Sequence, residues 1–338
     1  LFFTRKPVMI IMGEGLKYKL DLDSFIRFRR DLHMYPGVSG NEQETSDRIQ
    51  GFIQKYNPER VYRDIGGNSI AFGFFESSFE HTVLFRADMD ALPIPEELDV
   101  PYQSKYPGVS HKCGHDGHST ILMAVAELLN QRKPAGVRIV LLFQAEEETG
   151  TGAEKVVNHP DFEKIRPDWV FGLHNLPGFP VNSIILKHGT FAAASVGMII
   201  TLKGKSTHAG QPEKGNNPAR CIADLVHFID QDVMQSELND FHLVTIIHIR
   251  LGEVAFGTSP GFGKVLLTLR SFRDDDLNFL KQKITRKVKD KAEFYGLGNE
   301  IEFTEEFPAT RSSETEVELV RETASDLSLS VVEPDDSF

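Results

Sequence analysis

Cys113 and His115 stand two residues apart in "HKCGHDGHS" (111–119), with only a glycine between them. On an extended or looped backbone, residues i and i+2 project to one side. Thiolate and imidazole are good ligands for zinc and similar divalent ions. The pair could therefore serve one metal, with Asp116 and His118 orienting the ligating imidazole. The bland reading is a buried cysteine beside capping or surface histidines. A second cluster, "FQAEEETGTGAE" (143–154), sets Glu146, Glu147 and Glu148 directly after an apolar run. Adjacent carboxylates repel one another and are costly to bury without a cation or a raised pKa. A solvated acidic turn is the alternative. The small residues that follow let the backbone turn tightly. His174 ends the apolar run "DWVFGLH", a place where a lone histidine is more often structural. Jointly, thiolate, imidazole and carboxylate suit a divalent metal centre, with a neighbouring free carboxylate as the natural general base.

These groups need elements to bring them together. "NSIAFGFFE", "HTVLFRA", "RIVLLFQ" and "DWVFGLH" read as strands, the last two as apolar runs buried on both faces. "HSTILMAVAELLNQR" reads as a helix between them. Earlier, "SFIRFRRDLHMYPGVSGNEQETSDRIQGFIQKYN" reads as two helices split at "YPGVSGN", with Ser39 or Asn41 as a cap for the second. Strands alternating with helices predict an α/β fold with a mixed, largely parallel sheet flanked by helices. Each chemical cluster then falls at a strand's carboxyl end, the side where such sheets collect ligands.

After His188 the order becomes strand, helix, two strands, helix, strand. That order matches the ferredoxin-like βαββαβ sandwich. Gly296 is expected to end the long helix over "DLNFLKQKITRKVKDKAEFYG", and Ser313 with Glu316 forms a capping-box pattern. The expected division is 16–187 with 308–338 as a catalytic metal-binding domain, and 188–307 as an inserted domain.

The net charge of −12 argues against nucleic-acid or anionic-membrane partners. Cys113 and Cys221 are the only cysteines and lie far apart, so a disulfide framework is not expected. Cys221 reads as buried packing. The run "PVMIIMG" is too short to span a membrane and lacks the marks of a signal peptide. A cytoplasmic location is the expectation, and the opening on Leu1 suggests an incomplete amino end.

"LHMYPGVSGNEQET", "RADMDALPI", "HKCGHDGHS", "FQAEEETGTGA", "GLHNLPG" and "GKSTHAGQPEKGNNPA" occur in this order. Together they resemble the metal-dependent amidohydrolases of the aminoacylase and carboxypeptidase superfamily, peptidase clan MH. The nearest branch is that of hippurate hydrolase, N-acetyl-diaminopimelate deacetylase and indole-acetyl-amino-acid hydrolase. The resemblance covers about residues 25–310. It implies two divalent metal ions (zinc, manganese, nickel or cobalt) held by Cys113, His115, Glu148 and His174. It implies Glu147 as general base, with Glu146 standing where the family has an alanine and not serving as a ligand. His208 in "STHAG" matches a lid-domain histidine that contacts substrate, often across a dimer. Asp88 and Asp90 match supporting positions. The implied reaction is hydrolysis of the amide bond of an N-acyl amino acid or related small amide, in a homodimer joined through the lid domain. A dipeptidase or exopeptidase on the same scaffold is the alternative.

Two departures stand out. The family carries a further histidine ligand near its carboxyl end, whereas the last histidine here is His248. The chain is therefore expected to stop short of that ligand, which leaves a catalytically impaired ligand-binding relative as another reading. "GEVAFGTSPGFG" (252–263) also places Gly257 where relatives carry a substrate-holding asparagine.

Overall fold

Buried apolar strands organise the first part of the chain, as a computed structural model describing residues 8–12 and 16–334 shows. The elements of this part are β1 (Val8–Met12), β2 (Leu16–Leu20), α1 (Leu22–Met34), α2 (Gln43–Ile53), β3 (Arg60–Tyr62), β4 (Ile70–Phe74), β5 (Phe79–Asp88), α3 (His115–Gln131), β6 (Gly136–Gln144), α4 (Gly152–Val157) and β7 (Trp169–Gly172). β3–β7 form one mixed sheet in the order β3-β4-β6-β5-β7. β5 runs parallel to β6 and β7, and the other two pairings are antiparallel.

Alternation along the strands divides the core in two. Ile139, Leu141 and Phe143 of β6 join Phe72 and Phe74 of β4 on one face, against Phe25, Phe28 and Leu32 of α1 and Leu122, Met123 and Ala126 of α3. Val140 and Leu142 face the other way, with Ala71, Leu84, Val156 and Ile165. Each fully buried Phe or Leu of this kind contributes roughly 1.5–3 kcal/mol. Both faces of β6 are thus covered, which is why its sequence is continuously apolar rather than alternating.

The register of the parallel strands matters most for function. Asp88 of β5 pairs beside Gln144 of β6, and Arg86 beside Gly172 of β7. The three strands therefore end together, and the segments carrying Asp88, Glu147 and His174 leave the sheet at one edge.

The chain divides into compact units at Pro180 and Val181. The second contains β8 (Ser183–Ile185), β9 (Gly189–Ala192), β10 (Ala194–Lys203), β11 (Thr207–His208), α5 (Ala219–Phe228), β12 (His242–Leu251), β13 (Thr258–Ser259), β14 (Phe262–Ser271), α6 (Asp274–Phe294), β15 (Gly298–Phe307), β16 (Thr310–Ser312), α7 (Glu314–Asp326) and β17 (Ser330–Val332). Its main sheet is antiparallel in the order β12-β14-β10-β15. Taken with α5 and α6, that is the βαββαβ topology. Val196, Met198, Ile200 and Leu202 of β10 pack with Leu277, Leu280, Ile284 and Val288 of α6, and Cys221 of α5 is wholly buried among them. The segment after residue 307 pairs β16 with β9 and β17 with β8. Gly296, at φ +64°, ends α6.

Among the described residues, no helix is long and apolar enough to cross a membrane. Leu1, on which the expectation of an incomplete amino end rests, lies outside the described residues.

Candidate metal centre

Four segments bring their polar side chains to the shared strand edge. α3 begins at His115, three residues earlier than the apolar pattern indicates. Its N-cap is Gly114 at φ +92°, a conformation that suits glycine, and an added Cβ there would lie 2.5 Å from Asn175 Oδ1. This sharp entry places Cys113 just outside the helix and His115 on its first turn.

His115 is the centre of the group. Its ring is fully buried. Nδ1 lies 3.0 Å from the Asp90 carbonyl oxygen and 3.2 Å from Asp90 Oδ1. Nε2 has no hydrogen-bond partner. Around it stand Asp88 Oδ1 at 3.7 Å, Glu148 Oε1 at 3.7 Å and Glu147 Oε2 at 3.8 Å. Cys113, His115 and Glu148 each bring a ligand atom within 4.8 Å of the others, and so do Asp88, His115, His118 and His174. Cys113 Sγ lies 3.5 Å from His174 Nε2. The structure thus gathers Cys113, His115, Glu148 and His174, with Glu147 beside them.

The supporting residues hold their neighbours by direct bonds. Asp90 Oδ2 accepts from Ser39 Oγ at 2.7 Å and from the Glu148 amide at 3.0 Å. One carboxylate therefore orients the His115 ring and anchors the Glu148 backbone. Asp88 Oδ2 accepts from Arg86 Nη1 at 2.7 Å, and its Oδ1 lies 2.6 Å from His118 Nδ1. Its Oδ1 is also as near to His115 Nε2 as Glu148 is, so Asp88 stands among the gathered atoms as well as behind them. Both ring nitrogens of His118 are engaged, the second with the Asn175 amide group and backbone. Asp116 bonds Arg29, His33 and the Gly117 amide rather than His115. Glu146, at φ +53°, turns its carboxylate to Lys155 and Thr151.

Electrostatics follow from this crowding. Burial pushes the Glu147 and Glu148 carboxyls above the usual range, with His115 partly offsetting it. Burial also opposes ionisation of Asp88, but His118 and Arg86 overcome it and hold that carboxyl well below the ordinary range. Burial works against a charged His115 too, yet Asp90 and the other surrounding acids push its pKa up to about 11. Acids this close, around orphaned atoms on His115 and Glu148, are the donor set a divalent cation satisfies. The residues present fit a metal.

His208 lies in the second unit, exposed on β11, where its Nδ1 accepts from the Gly210 amide. Three residues escape sequence reasoning. Glu42 is fully buried and accepts from the Glu146 and Gly40 amides and from Asn68. It is also the N-cap residue of α2, while Ser39, an expected cap, serves Asp90 instead. Asn175 secures His118. His33 bridges two carboxylates. The available signal was position inside the quoted polar motifs, Glu42 and His33 in "LHMYPGVSGNEQET" and Asn175 in "GLHNLPG".

Residues 84–337 match the family described as Peptidase family M20/M25/M40. An uncharacterized hydrolase of Staphylococcus aureus strain USA300 is 32% identical over 298 residues, covering 87% of this chain and 76% of that protein. The solved structure of the Bacillus subtilis YxeP protein, described as a dinuclear metal binding peptidase from the M20 family, superposes with a TM-score of 0.75 at 25% identity. That alignment covers 93% of this chain and 82% of the other. A Klebsiella pneumoniae aminobenzoyl-glutamate utilization protein shares the fold, with a TM-score of 0.72 at 18% identity over 94% of this chain and 84% of its own.

Proposed function

The chain belongs to peptidase family M20/M25/M40 and is a hydrolase; from that premise we propose that it cleaves the amide bond of N-acyl amino acids or related small amides. The observation that carries this reading is the convergence of Cys113, His115 and Glu148 at ligand distance, with Glu147 alongside. Cys113, His115, Glu148 and His174 would hold two divalent ions, whose charge acidifies a water and polarises a carbonyl. Glu147 takes the water's proton and later delivers it to the leaving amine. Burial raises the Glu147 carboxyl above its usual range, the direction that favours proton uptake. Asp90 keeps the His115 ring and the Glu148 backbone in place, and Asp88 with Asn175 does the same for His118. His208 would meet the substrate from the βαββαβ unit, acting as a lid and as the dimer contact. A cytoplasmic location accompanies this reading.

A dipeptidase on the same residues is the competing reading, favoured by the peptidase description of the Bacillus subtilis neighbour. A panel of N-acetyl amino acids, N-benzoyl amino acids and dipeptides, assayed with zinc, manganese, nickel or cobalt, separates the two. Faster turnover of dipeptides overturns the acyl-amino-acid assignment. Metal content below about one ion per chain after loading, where a two-metal site calls for two, would favour a binding protein without activity.

A further inference from the structure

We propose that His33 is a positioning residue that clamps the Cys113–His115 segment against α1. The proposal rests on the reading that Cys113 and His115 hold a metal ion. His33 uses both faces of its ring. Nδ1 lies 2.8 Å from Asp116 Oδ2, and Nε2 lies 2.8 Å from Glu96 Oε2. All three side chains are nearly closed to solvent. Glu96 and Asp116 mark the two ends of one excursion of the chain, and Cys113 and His115 lie on that excursion. A single imidazole on α1 therefore grips both ends of the segment that carries the two candidate ligands.

Neighbouring contacts reinforce the clamp from the same helix. Arg29 Nε donates to Asp116 Oδ2 at 2.9 Å, and the Lys105 amide donates to the Met34 carbonyl at 2.8 Å. Asp116 Oδ1 accepts from the Gly117 amide, fixing the first turn of α3. Lys112, next to Cys113, reaches Glu96. The Asp116 hydrogen bond holds the His33 pKa above its ordinary value. Removing one member of such a buried set leaves a carboxylate uncompensated, and the segment it tethers must move to find water. Ligand placement within fractions of an ångström then suffers before the fold does.

The test uses the full chain, stripped of metal and titrated with cobalt(II) against a chromophoric chelator. The near-ultraviolet thiolate-to-cobalt absorption reports Cys113 directly, and circular dichroism with urea unfolding reports the fold. His33→Gln can bond one carboxylate but not both. It is expected to weaken cobalt binding by about 10–100-fold and to alter the thiolate band while remaining folded. A folded His33→Gln protein that binds cobalt within about twofold of the parent, well short of the usual cost of losing an outer support, overturns the proposal, even if its urea midpoint falls. Should His33→Gln fail to fold, Glu96→Met decides by the same two readouts. It removes the acceptor at one end of the clamp while keeping a side chain of similar length. A parent chain showing no band that disappears in Cys113→Ser removes the metal reading and this inference together. A parent band left unchanged in the folded variants removes the inference alone.

Discussion

His115 Nε2 and Glu148 Oε1 face each other across 3.7 Å, both shut off from water and neither with a hydrogen-bond partner. Orphaned buried polar atoms cost about 1–3 kcal/mol each. Two of them at this separation, with Cys113 in reach, describe a cradle for a cation more economically than two unrelated defects. Since Asp90 holds both the His115 ring and the Glu148 amide, it is the joint on which the cradle turns. Asp90→Asn should reduce metal affinity by about 10–100-fold. Competition with a chelator measures this, and unchanged affinity would show that the ring is positioned by other groups.

Glu147 lies beside the cradle, with its carboxyl pushed up by burial. Glu147→Gln should retain the parent's metal content and lose about 10²–10⁴-fold in turnover. Elemental analysis and an assay on a cleaved substrate check the two halves. Turnover at the parent rate would remove Glu147 from the role of base.

Gly152 sits where α4 meets the end of β6, and an added Cβ would lie 1.8 Å from the Ala145 carbonyl oxygen. Backbone, not a yielding side chain, blocks it. Gly152→Ala should cost about 1–3 kcal/mol in urea unfolding, the usual range for overpacking. It should also weaken metal binding, because the displaced turn carries Glu147 and Glu148. A variant as stable as the parent would show that α4 shifts freely.

The bridge at His33 makes a pH-dependent statement. Its folded pKa is raised above the ordinary 6.5. The stability it contributes is therefore fully present below that value and is lost as pH rises through the folded pKa. Urea unfolding of the parent and His33→Gln proteins should differ most below the ordinary histidine value and converge as pH rises through the raised folded one. A gap that widens with pH would contradict the sign.

Much of this was legible before folding. A continuous apolar run marked β6 as buried, because covering both faces of a strand leaves no polar alternation; the same reading failed for β7, which lies at the edge of the sheet with Trp169 and Val170 exposed. The order of elements in the second unit was enough to expect βαββαβ, and Gly296 ended α6 as left-handed backbone predicts. Ser313 is the N-cap of α7, but its hydroxyl donates to the Glu316 side chain and caps no helix amide, so the capping box itself does not form. The capping expectation failed at Ser39, where a nearby buried carboxylate, Asp90, competed for the hydroxyl.

By itself the sequence determined which groups are available: a thiolate and an imidazole where a helix begins, and adjacent carboxylates and a further imidazole just beyond strands. Identity and local pattern are properties of short windows, so short windows reveal them. Only the tertiary structure decided which of those groups meet. The parallel register of β5, β6 and β7 sets the edge they share. Bonds from residues tens of positions away, Glu42 to the Glu146 amide and His33 to Asp116, choose their orientation. Those contacts leave no periodic trace, because they depend on where the folded chain returns rather than on its spacing.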